Sequence, residues 1–158
     1  MEIRKIPSRL CLPLRQRVLR HEKPLETCVF RGDDDPSSCH LGAFEKEQLI
    51  GIVSLLRHKN EQFAENKQYQ LRGMAVLPEF KGQGWGSKLL RAVDENLHLQ
   101  QMEILWCNAR EIAVGFYEKH GFKILGTSFE IDGIGKHYLM YKKPKEDNSD
   151  KQLSSLLL

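Results

Sequence analysis

Glycines at every second position, Gly82, Gly84 and Gly86, separate a β-like run closed by Pro78 from a run with apolar residues at helical spacing. Glycine lacks a Cβ, so its backbone enters the left-handed region and lets a bulky group come close. The first amides of the following helix have no internal acceptor and sit at the positive end of its dipole. Successive amides aimed at one point bind phosphate. Ser87, in the first helical turn, adds a hydroxyl donor.

Known phosphate motifs fit this turn unequally. A dinucleotide fingerprint needs glycine where Ser87 stands, and an acidic residue at the end of the next strand, which closes on Trp106-Cys107. A P-loop fails as well, because the fifth residue after Gly82 is Ser87. What remains is a strand, a proline and an alternating glycine turn. A tight turn that holds no ligand is the competing interpretation.

Around this block the chain alternates strands and helices. Residues 2–6 read as a strand closed by Pro7. Residues 8–20 read as a helix with Leu10, Leu14, Val18 and Leu19 inward and Arg15, Arg17 and Arg20 outward. Pro24, Gly32 and Pro36 break the pattern between His21 and His40, and Asp33-Asp34-Asp35 reads as a charged turn. Strands are expected over 40–45, 49–56 and 69–77, then a helix over 84–99 and a short strand over 103–107. A helix over 108–120 with Gly121 as its left-handed cap and strands over 122–127 and 137–142 complete the order β-α-β-β-β-α-β-α-β-β. Interspersed strands and helices indicate a mixed α/β fold. Residues 1–143 are expected to form one domain and residues 144–158 a polar, mobile tail.

Composition narrows the function classes. Of 158 residues, 41% are hydrophobic and 28% charged, the balance of a soluble globular domain. Lys plus Arg number 24 against 21 Asp plus Glu, and a net charge of +3 is too mild to indicate nucleic acid. The apolar run 49–56 is far too short to span a membrane, and the N-terminus has no apolar signal core. A cytoplasmic protein is expected. Cys11, Cys28, Cys39 and Cys107 show no metal-ligand spacing and read as buried thiols in a reducing compartment, so no metal is expected.

The run from Leu71 to Leu90, with Met74-Ala75-Val76 before Lys81-Gly82-Gln83-Gly84-Trp85-Gly86-Ser87, resembles the acyl-CoA-binding motif of the GNAT N-acetyltransferase superfamily. A second signature of that family resembles Asn108-Ala109 together with the run from Ala113 to Phe122. Lys81 departs from the Arg or Gln with which the family pattern usually begins. The acidic turn and the stretch before it are similar to those of small bacterial members. The resemblance implies a single domain built on a central twisted mixed sheet of about six or seven strands, with helices on both faces.

It also implies roles. Met74, Ala75 and Val76 would offer their backbone to the pantetheine arm of acetyl-CoA, and residues from Lys81 through Gln83 and Trp85 to Ser87 would hold the pyrophosphate. Asn108 and Phe116 would contact the same arm, and Tyr117 would touch it and serve as general acid. The residues alone leave other readings open. Asn108 suits an N-cap with Glu111 completing a capping box, and Tyr117 suits a core-facing stripe with Ala113, Phe116 and His120.

Amine attack on a thioester requires a neutral amine, and freeing a lysine-like ammonium of its proton at pH 7 costs about 4.6 kcal/mol. The developing oxyanion needs a donor such as a backbone amide near Val76, and the leaving thiolate needs a proton, which a phenol supplies. His21, Glu22, His40 and His58 are the candidate general bases, with a water chain as the alternative, while Cys107 without a paired base reads as an inert thiol. The acceptor pocket is expected from the 21–40 loop and the region between Phe129 and His137. An acidic turn there would attract a cationic amine, although such runs more often face solvent. The expected function is transfer of an acetyl group from acetyl-CoA to a primary amine, on a small molecule or a protein, by direct attack. Many relatives are homodimers, and a homodimer is the expectation here. The alternatives are a catalytically silent acyl-CoA-binding sensor and an interaction protein whose glycine turn binds nothing.

Overall fold

A computed structural model describes residues 2–144. The tail expected after Pro144 lies outside the described residues. One sheet of eight strands takes up the chain in the order β1-β2-β3-β4-β5-β8-β6, with β7 paired to β8. The strands are β1 (Glu2–Lys5), β2 (Cys39–Glu45), β3 (Gln48–Leu56), β4 (Gln68–Val76), β5 (Ile104–Arg110), β6 (Lys123–Ile124), β7 (Phe129–Ile131) and β8 (Gly135–Lys142). All neighbours are antiparallel except β4 and β5, which are parallel and joined through a helix.

That helix is α2 (Trp85–Leu99), which packs Trp85, Leu89, Leu90, Val93 and Leu97 onto one face of β2, β3 and β4. A Cβ added at Gly51 of β3 would come within 3.2 Å of Leu89. The opposite face is covered by a helical segment in three registers: a 3-10 turn over Ser8–Cys11, α1 (Leu12–Leu14) and a wider π turn over Arg15–Leu19. The short α3 (Val114–Lys119) lies beside the N-terminus of α2, where a Cβ at Gly86 would meet Phe116 at 3.1 Å.

Three expectations fail, each for a physical reason. Arg15 is fully buried rather than outward, and Leu10 is 40% exposed rather than inward. The π turn carries an extra residue, so a straight 3.6-residue wheel misassigns the faces. Burial of Arg15 is made possible by Asp33, itself 5% exposed rather than part of a solvated turn. Second, the helix expected over 108–120 begins only with a 3-10 turn at Glu111. Asn108, Ala109 and Arg110 instead continue β5, paired in register with Leu139, Tyr138 and His137 of β8. The cap at Asn108 is therefore wrong: Arg110 precedes the first turn, and Glu111 pairs with Lys136 at 3.2 Å. Third, β7 was not expected as a strand. It forms a tight hairpin with β8 across Asp132-Gly133-Ile134 and is too short to show alternation.

Candidate functional site

The parallel pair β4 and β5 meets only at Gln68↔Ile104, Tyr69↔Leu105 and Gln70↔Trp106. Beyond these three positions the strands part: β5 goes on pairing with β8, and β4 continues to Val76 with no partner on that side. The divergence coincides with a β-bulge. Ile52 pairs with Ala75 and Ser54 with Arg72, so Gly73 and Met74 together oppose Val53. Gly73 has φ +64, and a Cβ there would come within 2.7 Å of Phe30 and 3.3 Å of Arg15 Nε. Glycine is thus required by both conformation and space.

At the C-terminal end of β4, Gly82 and Gly84 adopt φ +77 and +83, with open space around both. Their need for glycine is conformational alone. Gly84 forms the N-terminal boundary of α2 without any side-chain cap. The backbone amides from Gly82 to Ser87 find no acceptor among the described residues. They lie at the positive end of a helix of 15 residues. Lys81, Gly82, Gln83 and Gly84 are exposed, Gly86 and Ser87 are half-buried, and Trp85 is buried with its indole Nε1 unpartnered. A ligand with an extended amide arm and a pyrophosphate finds matching groups here, namely an open strand edge and a row of unpaired amides.

Tyr117 reaches this divergence from α3. Its Oη lies 3.9 Å from Sδ of Met74, and its ring packs edge-on against Phe116 and Phe122 at centroid distances of 5.4 and 5.1 Å. Phe116 in turn sits against Gly86. The expected core stripe and the expected site residue are therefore the same side chain. Burial pushes the Tyr117 hydroxyl well above its usual pKa, and the nearby Cys107 adds to the rise. Cys107 is itself pushed up to about 12 by burial, which leaves it an unreactive thiol. Asn108 is exposed on β5 near the divergence.

The candidate bases are distributed differently. His40 is buried with both ring nitrogens engaged: its Nε2 donates to the Asp33 carbonyl at 2.8 Å, and its Nδ1 accepts from Ser54 Oγ at 2.7 Å, Ser54 itself taking a hydrogen bond from Arg15. His58 pairs through Nδ1 with Gln70 at 3.0 Å. His21 and Glu22 are exposed. None of the four touches Met74 or Tyr117 among the described contacts. Sequence reasoning did not single out Arg72, although it is the one charged residue of β4.

The chain matches the model of the acetyltransferase (GNAT) domain over residues 24–143. It is 37% identical over 142 residues, 90% of this chain and 95% of the relative, to YitI of Bacillus subtilis (strain 168), named as an uncharacterized N-acetyltransferase. Among solved structures, an aminoglycoside 6'-N-acetyltransferase complexed with coenzyme A superposes with a TM-score of 0.74 at 15% identity, covering 93% of this chain and all of that one. Escherichia coli ElaA gives 0.74 at 17% identity over 90% of this chain and 99% of that one. The open β4 edge, the glycine turn and the match over most of its length agree: this chain belongs to the GNAT acetyltransferases, enzymes that draw their acyl group from acetyl-CoA.

Proposed function

We propose that this chain is an N-acetyltransferase that moves the acetyl group of acetyl-CoA to a primary amine by direct attack, with Tyr117 as the general acid. The observation that carries this reading is the contact of Tyr117 Oη with Met74, 3.9 Å away, where β4 leaves β5. Acetyl-CoA supplies an activated thioester, and the protein supplies position and a proton. In this reading the backbone of Met74, Ala75 and Val76 pairs with the pantetheine arm, filling the strand position that β5 vacates. The amides from Gly82 to Ser87, with Lys81 beside them, face the pyrophosphate. Asn108 and Phe116 flank the arm. A phenol in so dry a position keeps its proton at neutral pH and holds it at Oη, ready for a leaving thiolate. Its weak sulfur acceptor leaves the hydroxyl free to turn toward a stronger one. Removal of the amine proton falls to a water, because His40 is already saturated by Ser54 and Asp33.

Thermal unfolding with and without acetyl-CoA, with NAD and ATP as controls, is the first test. At 100 times its dissociation constant the ligand adds about 2.7 kcal/mol, a rise of roughly 5–11 °C. Thiol release with a panel of amines then tests transfer. Tyr117→Phe is expected to lower kcat by at least about 10²-fold with the thermal shift unchanged. Undiminished turnover in that variant removes the acid assignment. A shift without turnover of any amine indicates the silent sensor, and no shift at all removes the cofactor.

A further inference from the structure

Phe30, buried in the 21–40 loop, gathers guanidinium groups. Arg15 and Arg72 lie 3.8 and 4.0 Å from its ring centroid, and Arg20 lies at 5.9 Å. The single carboxylate within this group is committed. Asp33 takes hydrogen bonds from Arg15 Nη1 and Nη2 at 2.6 and 2.9 Å and from the Phe30 amide at 2.8 Å. Arg15 is thereby neutralised and spends its remaining Nη hydrogens on Cys28 O and Ser54. Arg20 and Arg72 have no side-chain hydrogen bond or ion pair among the described residues. Glu79 holds Arg17, while Asp34 and Asp35 accept from the hydroxyls of Ser8 and Ser37.

The position of this surplus charge matters. Arg72 is the last β4 residue before the bulge that opens the strand pair, and it pairs across β3 with Ser54, so it projects on the Arg15 side of the sheet. Met74 stands two strand residues further on, roughly 6–7 Å along the chain. On the other wall, Arg110 at the end of β5 donates to Leu19 O at 3.5 Å, which brings the end of the π turn, and Arg20 next to it, over the mouth between the strands. Burial and the charges of Arg20 and Arg15 make the Arg72 cation costly to hold, and the charge of Asp33 offsets only part of this. With its carbon 4.0 Å from the Phe30 centroid, the Arg72 guanidinium is held against the ring, and its planar fork of N–H groups suits a carboxylate or phosphate in bidentate fashion.

We infer that Arg72, assisted by Arg20 and seated on Phe30, binds an anionic group of the acceptor, so that the acceptor is a small amine that also carries a carboxylate or phosphate. This rests on the transferase reading and selects the substrate class for it. A polyamine entering the same mouth would meet the charges of Arg20 and Arg72, and the Asp33 carboxylate is already paired with Arg15.

The test uses the full chain with acetyl-CoA and matched amines: an amino acid against its carboxamide, an amino sugar against its phosphate, and spermidine. Thiol release is expected to favour the anionic member of at least one pair by about tenfold or more in kcat/KM, and which pair responds separates carboxylate from phosphate. Arg72→Gln is expected to erase that preference mainly through KM, Arg72→Lys to restore part of it, and Arg20→Gln to weaken it. The acetyl-CoA thermal shift should persist in all three, which shows that they fold. Equal use of both members, or a preference for spermidine, overturns the inference while leaving the transferase intact. If no amine is turned over, the same pairs are added to the CoA-bound protein and its melting followed. Stabilisation by the anionic member alone, lost in Arg72→Gln, still supports the anion site, and equal stabilisation refutes it.

Discussion

Asp33→Asn isolates the charge on which the acceptor side of the fold rests. In the wild type the Arg15 guanidinium is completely buried, and the Asp33 side chain is 3% exposed, with the closest contact at 2.6 Å. Arg15 Nε has no partner, so the two Nη groups carry all of its hydrogen bonding, half of it to this carboxylate. The amide that replaces the carboxylate keeps the shape and loses the charge. Breaking a buried pair in this way leaves an uncompensated cation, a cost of about 3–5 kcal/mol. For a domain of this size that is a fall in melting temperature of roughly 6–20 °C at pH 7.

The pH dependence gives a second reading of the same charge. Burial alone would raise the Asp33 pKa, but the hydrogen bonds from Arg15 and the Phe30 amide, with the guanidinium charge, outweigh it and hold the carboxyl below its usual range. A lowered folded-state pKa contributes stability above the unfolded value of about 3.9 and loses it as pH falls through the folded value. The gap between wild type and Asp33→Asn is therefore constant from about pH 5 to 8 and closes below about pH 4. Replacing both partners, Arg15→Met with Asp33→Asn, should recover at least about 1 kcal/mol relative to Asp33→Asn alone, since no lone charge is left buried. Calorimetry across this pH range measures all of it. A fall of less than about 2 °C for Asp33→Asn at pH 7, or a gap that widens in acid, refutes the ion-pair reasoning.

Gly84→Ala places a Cβ at φ +83 in open space, so it is expected to destabilise by only about 1 kcal/mol. It should cost acetyl-CoA affinity more than stability if the turn cradles the pyrophosphate; titration calorimetry set against melting separates the two, and an unchanged affinity disconnects the turn from the ligand. With Cys11 and Cys107 pushed up to about 11 and 12 by burial, and all four thiols buried, an alkylating reagent at pH 8 should leave native activity intact and label the chain only in denaturant. Rapid native labelling at Cys107 refutes this.

The glycine turn was legible because its signals are local. Gly82, Gly84 and Gly86 act through their own backbones, and neighbours within a few residues on α2 supply the rest, so spacing alone carries the information. Tyr117 was singled out in the same way, as one position of a short signature. Asn108 was misplaced because Asn is a good N-cap in isolation, whereas the pairing of β5 with β8 depends on residues about thirty positions away and overrides local propensity. Arg15 was misread for a related reason. A helical wheel allots faces by a single period, and it has no means of knowing that the turn widens or that Asp33 waits beneath it.

The proposed acceptor side is composed of such distant meetings, which is why sequence spacing left it open. Arg20, Phe30, Arg72 and Arg110 come from the end of the π turn, the loop, β4 and β5, and no two lie within a motif. They converge because the bulge at Gly73 clears room for Phe30, and because the Arg15–Asp33 pair ties the loop down over the sheet. The same pair commits the Asp33 carboxylate to Arg15, so that its charge offsets only part of what burial, Arg20 and Arg15 cost the Arg72 cation. In the proposed reading, stability and acceptor charge depend on one contact: loosening it by Asp33→Asn should release the loop and blunt discrimination between charged and neutral amines together with the fall in melting temperature.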